Sequence, residues 1–191
     1  IIPLLLVFSN RTRMNILEVN QQHPSHQQLQ DVAEDLQQGA VAILPTDSYY
    51  CACCLQGSSK AVAKLLSLKK IIGRQSPLSL MCRDVSHAAE MAVIDRPCFR
   101  ILNAITPAAV TFLLPAQRTT LRRLKLKARE VVGIRISPHP VIQKLLELSD
   151  SSILAQSLTK IEDDDFKLLI QPYVDVWLRL YYGCTNKPTS V

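Results

Sequence analysis

No apolar run in this 191-residue chain is long enough to cross a bilayer. Residues 1–8 (IIPLLLVF) are apolar throughout but fall well short of the roughly 20 residues that a spanning helix needs. They also lack the basic start and small-residue cleavage site of a secretory signal, so a cytoplasmic location without membrane partners is expected. The six cysteines (51, 53, 54, 82, 98 and 184) form no disulfide framework and sit mostly in apolar runs, where a reduced thiol packs as a small hydrophobe. Cys51 and Cys54 make one C-x-x-C, but no second pair or nearby His completes a zinc site. A redox pair would open a helix, whereas this one lies in a strand-like run. There is no Ser-His-Asp or Cys-His arrangement, and no internal repeat, low-complexity tract or linker. The most basic stretch, residues 118–129, contains no aromatic side chain for base stacking. It could track phosphates but offers no base readout, and a solvated face is the simpler use.

What is present suits one domain with a sizeable core: 48% of residues are apolar and 20% charged. The net charge of +6 weakly favours an anionic partner, either nucleic acid or nucleotide phosphate. The chain is organised around residues 41–55 (VAILPTDSYYCACCL), an apolar run halted by Pro45, then Thr46, Asp47 and Ser48. That pattern reads as a buried strand with a polar loop at its carboxyl end, the place where open α/β sheets bind ligands.

Taken in order, residues 15–19 form a short edge strand. Ser25 caps a helix over 26–38, with Leu29, Val32, Ala33 and Leu36 inward and Gly39 at its end. Ser58 or Ser59 opens a second helix, which gives way to a basic, flexible stretch at 69–75, and residues 77–81 return as a strand. Asp84 and Ser86 can cap a helix reaching Met91. Another over 97–104 is expected to pack Phe99, Ile101 and Leu102, and residues 110–114 read as a strand. Residues 131–136 (VVGIRI) form a strand containing Arg135, and a buried unpaired charge is costly, so Arg135 needs a carboxylate or a bound anion. A helix over 141–148, a strand over 153–155 ending in Gln156 and Ser157, an acidic surface loop at 162–165 and a strand over 174–181 complete the pattern.

Several segments together resemble the YrdC/YciO family, the threonylcarbamoyl-adenylate synthase fold: LPTDSYY (44–50), PLSLMCRD (77–84), TPAAVTFLL (106–114), VVGIRISPHP (131–140), ILAQSL (153–158) and KPTSV (187–191). SLMCRDVS (79–86) looks specifically like the YciO branch. The resemblance implies an α/β fold: a single-domain, twisted, open mixed sheet with flanking helices and a central basic cleft, YrdC/RibB-like. Residues 14–191 would form this domain, with 1–13 a non-native or disordered extension and the C-terminal segment truncated. It also implies binding of ATP with Mg2+, L-threonine and bicarbonate, and a product passed to tRNA. Carried over by position, Thr46, Ser48 and Tyr50 would line the threonine pocket, and Arg135 would pair with the threonine carboxylate. Ala155 and Thr189 would border the amino acid, and Lys70, Arg74 and Ser157 the nucleotide.

The family's Lys-x-Arg reads Lys70-Ile71-Ile72 here, and its Ser-x-Asn reads Ser157-Leu158-Thr159. The glycine expected after Tyr50 gives way to Cys51-Ala52-Cys53-Cys54, and Thr-Pro-Gly to Thr106-Pro107-Ala108. Two functions follow: a synthase of weak or altered activity, or a protein that binds RNA (tRNA or double-stranded RNA) or nucleotide on the same fold without turnover. Carbamoyl-adenylate chemistry on another acceptor, as in the related domain of hydrogenase maturation proteins, has no feature of its own here.

Overall fold

In the computed structural model, residues 14–73, 78–125 and 130–181 are described, and every structural statement concerns these. The apolar runs become strands of one sheet: β1 (Asn15–Val19), β2 (Ala42–Leu44), β3 (Tyr50–Leu55), β4 (Ser79–Met81), β5 (Phe112–Pro115), β6 (Val131–Arg135), β7 (Ile153–Leu158) and β8 (Val176–Leu180). Their spatial order is β1-β8-β2-β3-β7-β4-β6-β5. The sheet is mixed, because β8 lies parallel to both β1 and β2 while β3 is antiparallel to β2 and β7. Beyond β7, β4 runs antiparallel to it and parallel to β6, and β5 closes the edge antiparallel to β6.

Both faces are covered, which explains why the central strands are apolar at nearly every position rather than alternating. On one face α1 (His26–Gln37) and α6 (Pro140–Ser149) pack on Leu44, Cys51, Cys53, Met81 and Ile153. The other face carries Ile43, Ala52, Leu80, Ile134 and Leu154. It is covered by α2 (Ser59–Ile71), α3 (Val85–Met91) and Leu102 of α4 (Arg96–Ile105). Two short helices, α5 (Arg118–Arg123) and α7 (Asp164–Ile170), complete the set.

Caps fix the helix starts. Ser25 accepts from Gln28 N–H and Ser58 from Ala61 N–H, satisfying donors that a helix leaves open. Gly39 follows α1 at φ +92°, a conformation glycine adopts without Cβ strain.

Five expectations are corrected. Phe99 and Ile101 are exposed, and only Leu102 of that helix is fully buried, because α4 meets the body along a narrow stripe. Lys69 and Lys70 form the last turn of α2, where cations complement the helix dipole, instead of opening a flexible stretch. The strand expected at 153–155 runs through Leu158, held by full pairing with β3, so Ser157 lies within it. Acidic residues 162–165 include the Asp163 cap and first turn of α7, and residues 118–123 are helical. The strand at 110–114 begins at Phe112.

Candidate active site

The cysteine pattern resolves first. Strand alternation sends Cys51 to the α1/α6 face and Cys54 to the other, so the C-x-x-C cannot converge on one ion or partner. Burial pushes the Cys51 and Cys53 thiols up and the Cys54 thiol to about 12, leaving all three neutral at physiological pH. Among the described residues, no three His, Cys, Asp or Glu gather as a metal site.

The polar groups on the α1/α6 face do converge. Arg135 closes β6 with only 3% of its surface exposed, and its Nη2 donates to Asp47 Oδ1 at 2.8 Å and to Ser48 Oγ at 3.0 Å. Ser137 Oγ donates to the same Asp47 oxygen. Strands β3, β7 and β4 stand between β2 and β6, so the loop after β2 bridges three strands to reach this arginine. The loop is braced internally: Thr46 Oγ1 accepts from Ser48 N–H at 3.1 Å, and its hydroxyl donates to the Tyr49 carbonyl at 2.6 Å. Pro45, Thr46 and Ser48 are buried, and Asp47 is half-buried. The partner that an in-strand arginine requires is therefore a carboxylate of this chain.

Ala155 and Ser157 lie on the same face. In the sheet, Ala155 sits between Cys53 and Ser79, and Ser157 faces Cys51, whose thiol donates to Ser157 Oγ at 3.8 Å. Gly133 sits in the Ala155–Ser79 row, where an added Cβ would meet Ser79 Oγ and Thr111 Cγ2 at 2.9 Å. Thr46, Ser48, Arg135, Ala155 and Ser157 are thus brought to one side.

Tyr50 is not with them. It points to the opposite face, its ring edge-on to Trp177 at 6.0 Å, and its hydroxyl accepts from Leu180 N–H. Lys70 is exposed at the end of α2, on the side of the sheet away from Arg135. A pocket of about 300 Å³ joins that helix end to β7, lined by Ile71, Ile72, Ser157, Thr159, Lys160 and Phe166 among others. Arg74 and Thr189 lie outside the described residues.

The comparisons decide the family. The Sua5/YciO/YrdC family model, described as telomere recombination, matches residues 34–165. The chain belongs to the Sua5/YciO/YrdC family. It is 27% identical over 180 residues to the uncharacterized protein YciO of Escherichia coli, covering 91% of this chain and 86% of YciO. The crystal structure of E. coli YciO matches with a TM-score of 0.76 at 23% identity, over 93% of this chain and 86% of that one. A threonylcarbamoyl-AMP synthase of Alkalilimnicola ehrlichii is 30% identical over 134 residues, 69% of this chain and 68% of the synthase. P. abyssi Sua5, solved in complex with L-threonine, shares the fold with a TM-score of 0.72 at 19% identity, over 85% of this chain but 49% of Sua5.

Within this Sua5/YciO/YrdC domain, sequence reasoning passed over Ser137 and His139, and it noted Asp47 without giving it Arg135. The signal was available. Arg135, Ser137 and His139 stand at alternate positions, with Ile134 before them and Ile136 between Arg135 and Ser137 facing the other core. No helix of the described residues is long and apolar enough to cross a membrane.

Proposed function

We propose that this protein is an ATP-dependent L-threonylcarbamoyladenylate synthase-like enzyme serving tRNA threonylcarbamoyladenosine modification, of low turnover. The observation that carries this reading is the buried Arg135, held by the Thr46-Asp47-Ser48 loop across three strands. A guanidinium fixed in this way is a preorganised receptor for an amino-acid carboxylate. The family includes threonylcarbamoyl-AMP synthases, and a neighbouring fold was solved with L-threonine.

In this reading Arg135 orients threonine, with Ser48, Thr46 and Ala155 bordering it. The threonine amine attacks the carbon of bicarbonate, and the carbamate forms as one bicarbonate oxygen leaves as water. The carbamate oxygen then attacks the α-phosphorus of ATP and pyrophosphate leaves. Such chemistry needs positioning and charge neutralisation rather than a covalent nucleophile. Ser157 and Lys70 would face the nucleotide, with Arg74 beyond, and Thr189 would close the amino-acid side. Mg2+ arrives with ATP as phosphate counter-charge.

One observation favours the second reading, binding of nucleotide or double-stranded RNA without turnover. The pocket beside Ser157 is lined by Ile71, Ile72, Phe166 and Leu169, with Lys160 the one cation among its described lining residues. Conversion of labelled bicarbonate into a threonine-dependent nucleotide product separates the two. The synthase reading expects label in threonylcarbamoyl-AMP, whereas ATP binding with no labelled product supports the binding protein.

A further inference from the structure

Among the described residues, β2 pairs with β8 only as far as Ile43 and Trp177, and residues 178–180 run on beside β1. There the Tyr50 hydroxyl accepts from Leu180 N–H, and the Tyr50 ring stands edge-on to Trp177. Strand alternation puts Trp177 and Arg179 on the Tyr50 face, with Ile16 and Glu18 of β1 beside them in register. These side chains, with Tyr181 and with Glu162 and Lys167 from α7 and its approach, line a pocket of about 420 Å³. Its Tyr50 and Trp177 floor lies on the sheet face away from Arg135.

The lining restricts what the pocket can take. Trp177 is 5% exposed, and its buried indole N–H has no acceptor among the described residues. Buried donors are nearly always matched, so an acceptor from outside the chain is expected. Tyr181 is 59% exposed and offers an open aromatic ring. Charge in the lining is balanced. Arg179 pairs with Glu18 and Lys167 with Asp164, which leaves Glu162 as the lining carboxylate outside any ion pair among the described residues. A strongly charged ligand gains little from such a lining. A flat, uncharged ring that carries an acceptor beside an amine matches all three features, and adenine and cytosine have that form.

We propose that the pocket over β1 and β8 binds a nucleobase, stacked on Tyr181, with a ring acceptor taking the Trp177 N–H and an exocyclic amine donating to Glu162. This does not rest on the synthase reading, whose residues lie elsewhere. The same chemistry serves a free nucleoside and an unpaired nucleotide of RNA, and the test separates the two.

Trp177 is the single tryptophan of the chain, so its emission and its one indole 15N–H resonance report on this pocket directly. The full chain is titrated with adenosine, cytidine and uridine. Adenosine and cytidine are expected to change the emission saturably and to shift the indole resonance. Uridine lacks the amine and should bind roughly 10-fold or more weakly, the loss of one hydrogen bond to a charged group. Tyr181→Ala should weaken adenosine about 5- to 100-fold, the range for one base stack, and Glu162→Ala should remove the preference over uridine. Both side chains are exposed, so neither change endangers the fold. Lys70→Ala should leave the nucleoside response intact, which separates this pocket from the nucleotide side of the synthase reading. A response lost in Lys70→Ala and kept in Tyr181→Ala overturns the proposal. So does an indole resonance that no nucleoside moves, or equal binding of adenosine and uridine. Single-stranded oligoadenylate that binds more tightly than adenosine and weakens with salt supports RNA as the source of the base, and equal affinity supports a free nucleoside.

Discussion

At the scale of single residues, Asp47 and Arg135 carry the account. Their ion pair has little exposure on either side, 3% for Arg135 and 13% for Asp47, so removing the carboxylate strands a buried cation. Asp47→Ala should therefore cost about 3–5 kcal/mol in urea denaturation. The Arg83–Asp150 pair has an aspartate side chain 83% exposed, and Asp150→Ala should cost less than about 1 kcal/mol on the same measurement. His139 gives a pH test. Its folded value of about 4 lies below the ordinary value of about 6.5, so the unfolded chain binds the extra proton between these limits. Stability should fall as pH drops from about 6.5 to 4, by about 3 kcal/mol from this residue alone, and be fully present above that window. His87, also pushed down by burial and by Arg83, adds to the same slope. The difference between wild type and His139→Asn over that window isolates His139, and equal slopes would remove its contribution.

At the scale of elements, packing decides what local pattern cannot. Gly133 lies inside β6, where a Cβ would come within 2.9 Å of Ser79 and Thr111 side-chain atoms and 3.2 Å of the Leu78 carbonyl. The backbone contact cannot turn aside, so Gly133→Ala should lower stability by about 1–3 kcal/mol in thermal or chemical denaturation, and a neutral result would mean that β6 shifts freely. The strands were legible because both faces of the sheet are covered and the central ones read as apolar runs. The need for a partner at Arg135 was legible for the same reason: a charge in such a run must be matched. Which carboxylate matches it was not, because Asp47 reaches β6 from a loop 88 residues away in the chain. Gln156 and Ser157 look like loop residues, so the local pattern ends β7 at Ala155, but pairing with Cys51 and Ala52 overrides that preference. Periodicity places Phe99 and Ile101 inward, but among the described residues nothing covers them and only Leu102 of α4 is buried.

For the whole molecule, the sheet order brings the loop after β2, the end of β6 and the middle of β7 to one face. Tyr50 and the end of α2 stay on the other. The two sides meet where Ser157 and the end of α2 line one pocket, which carries little charge in its described lining. The measurement that tests the account most directly is pyrophosphate release from ATP and bicarbonate, with and without L-threonine, comparing the wild type with Arg135→Ala and Lys70→Ala. The account predicts slow release that depends on threonine and falls about a hundredfold or more in each variant. Absence of threonine-dependent release, with ATP or RNA still bound in a Lys70-dependent way, would contradict it and leave a binding protein on this fold.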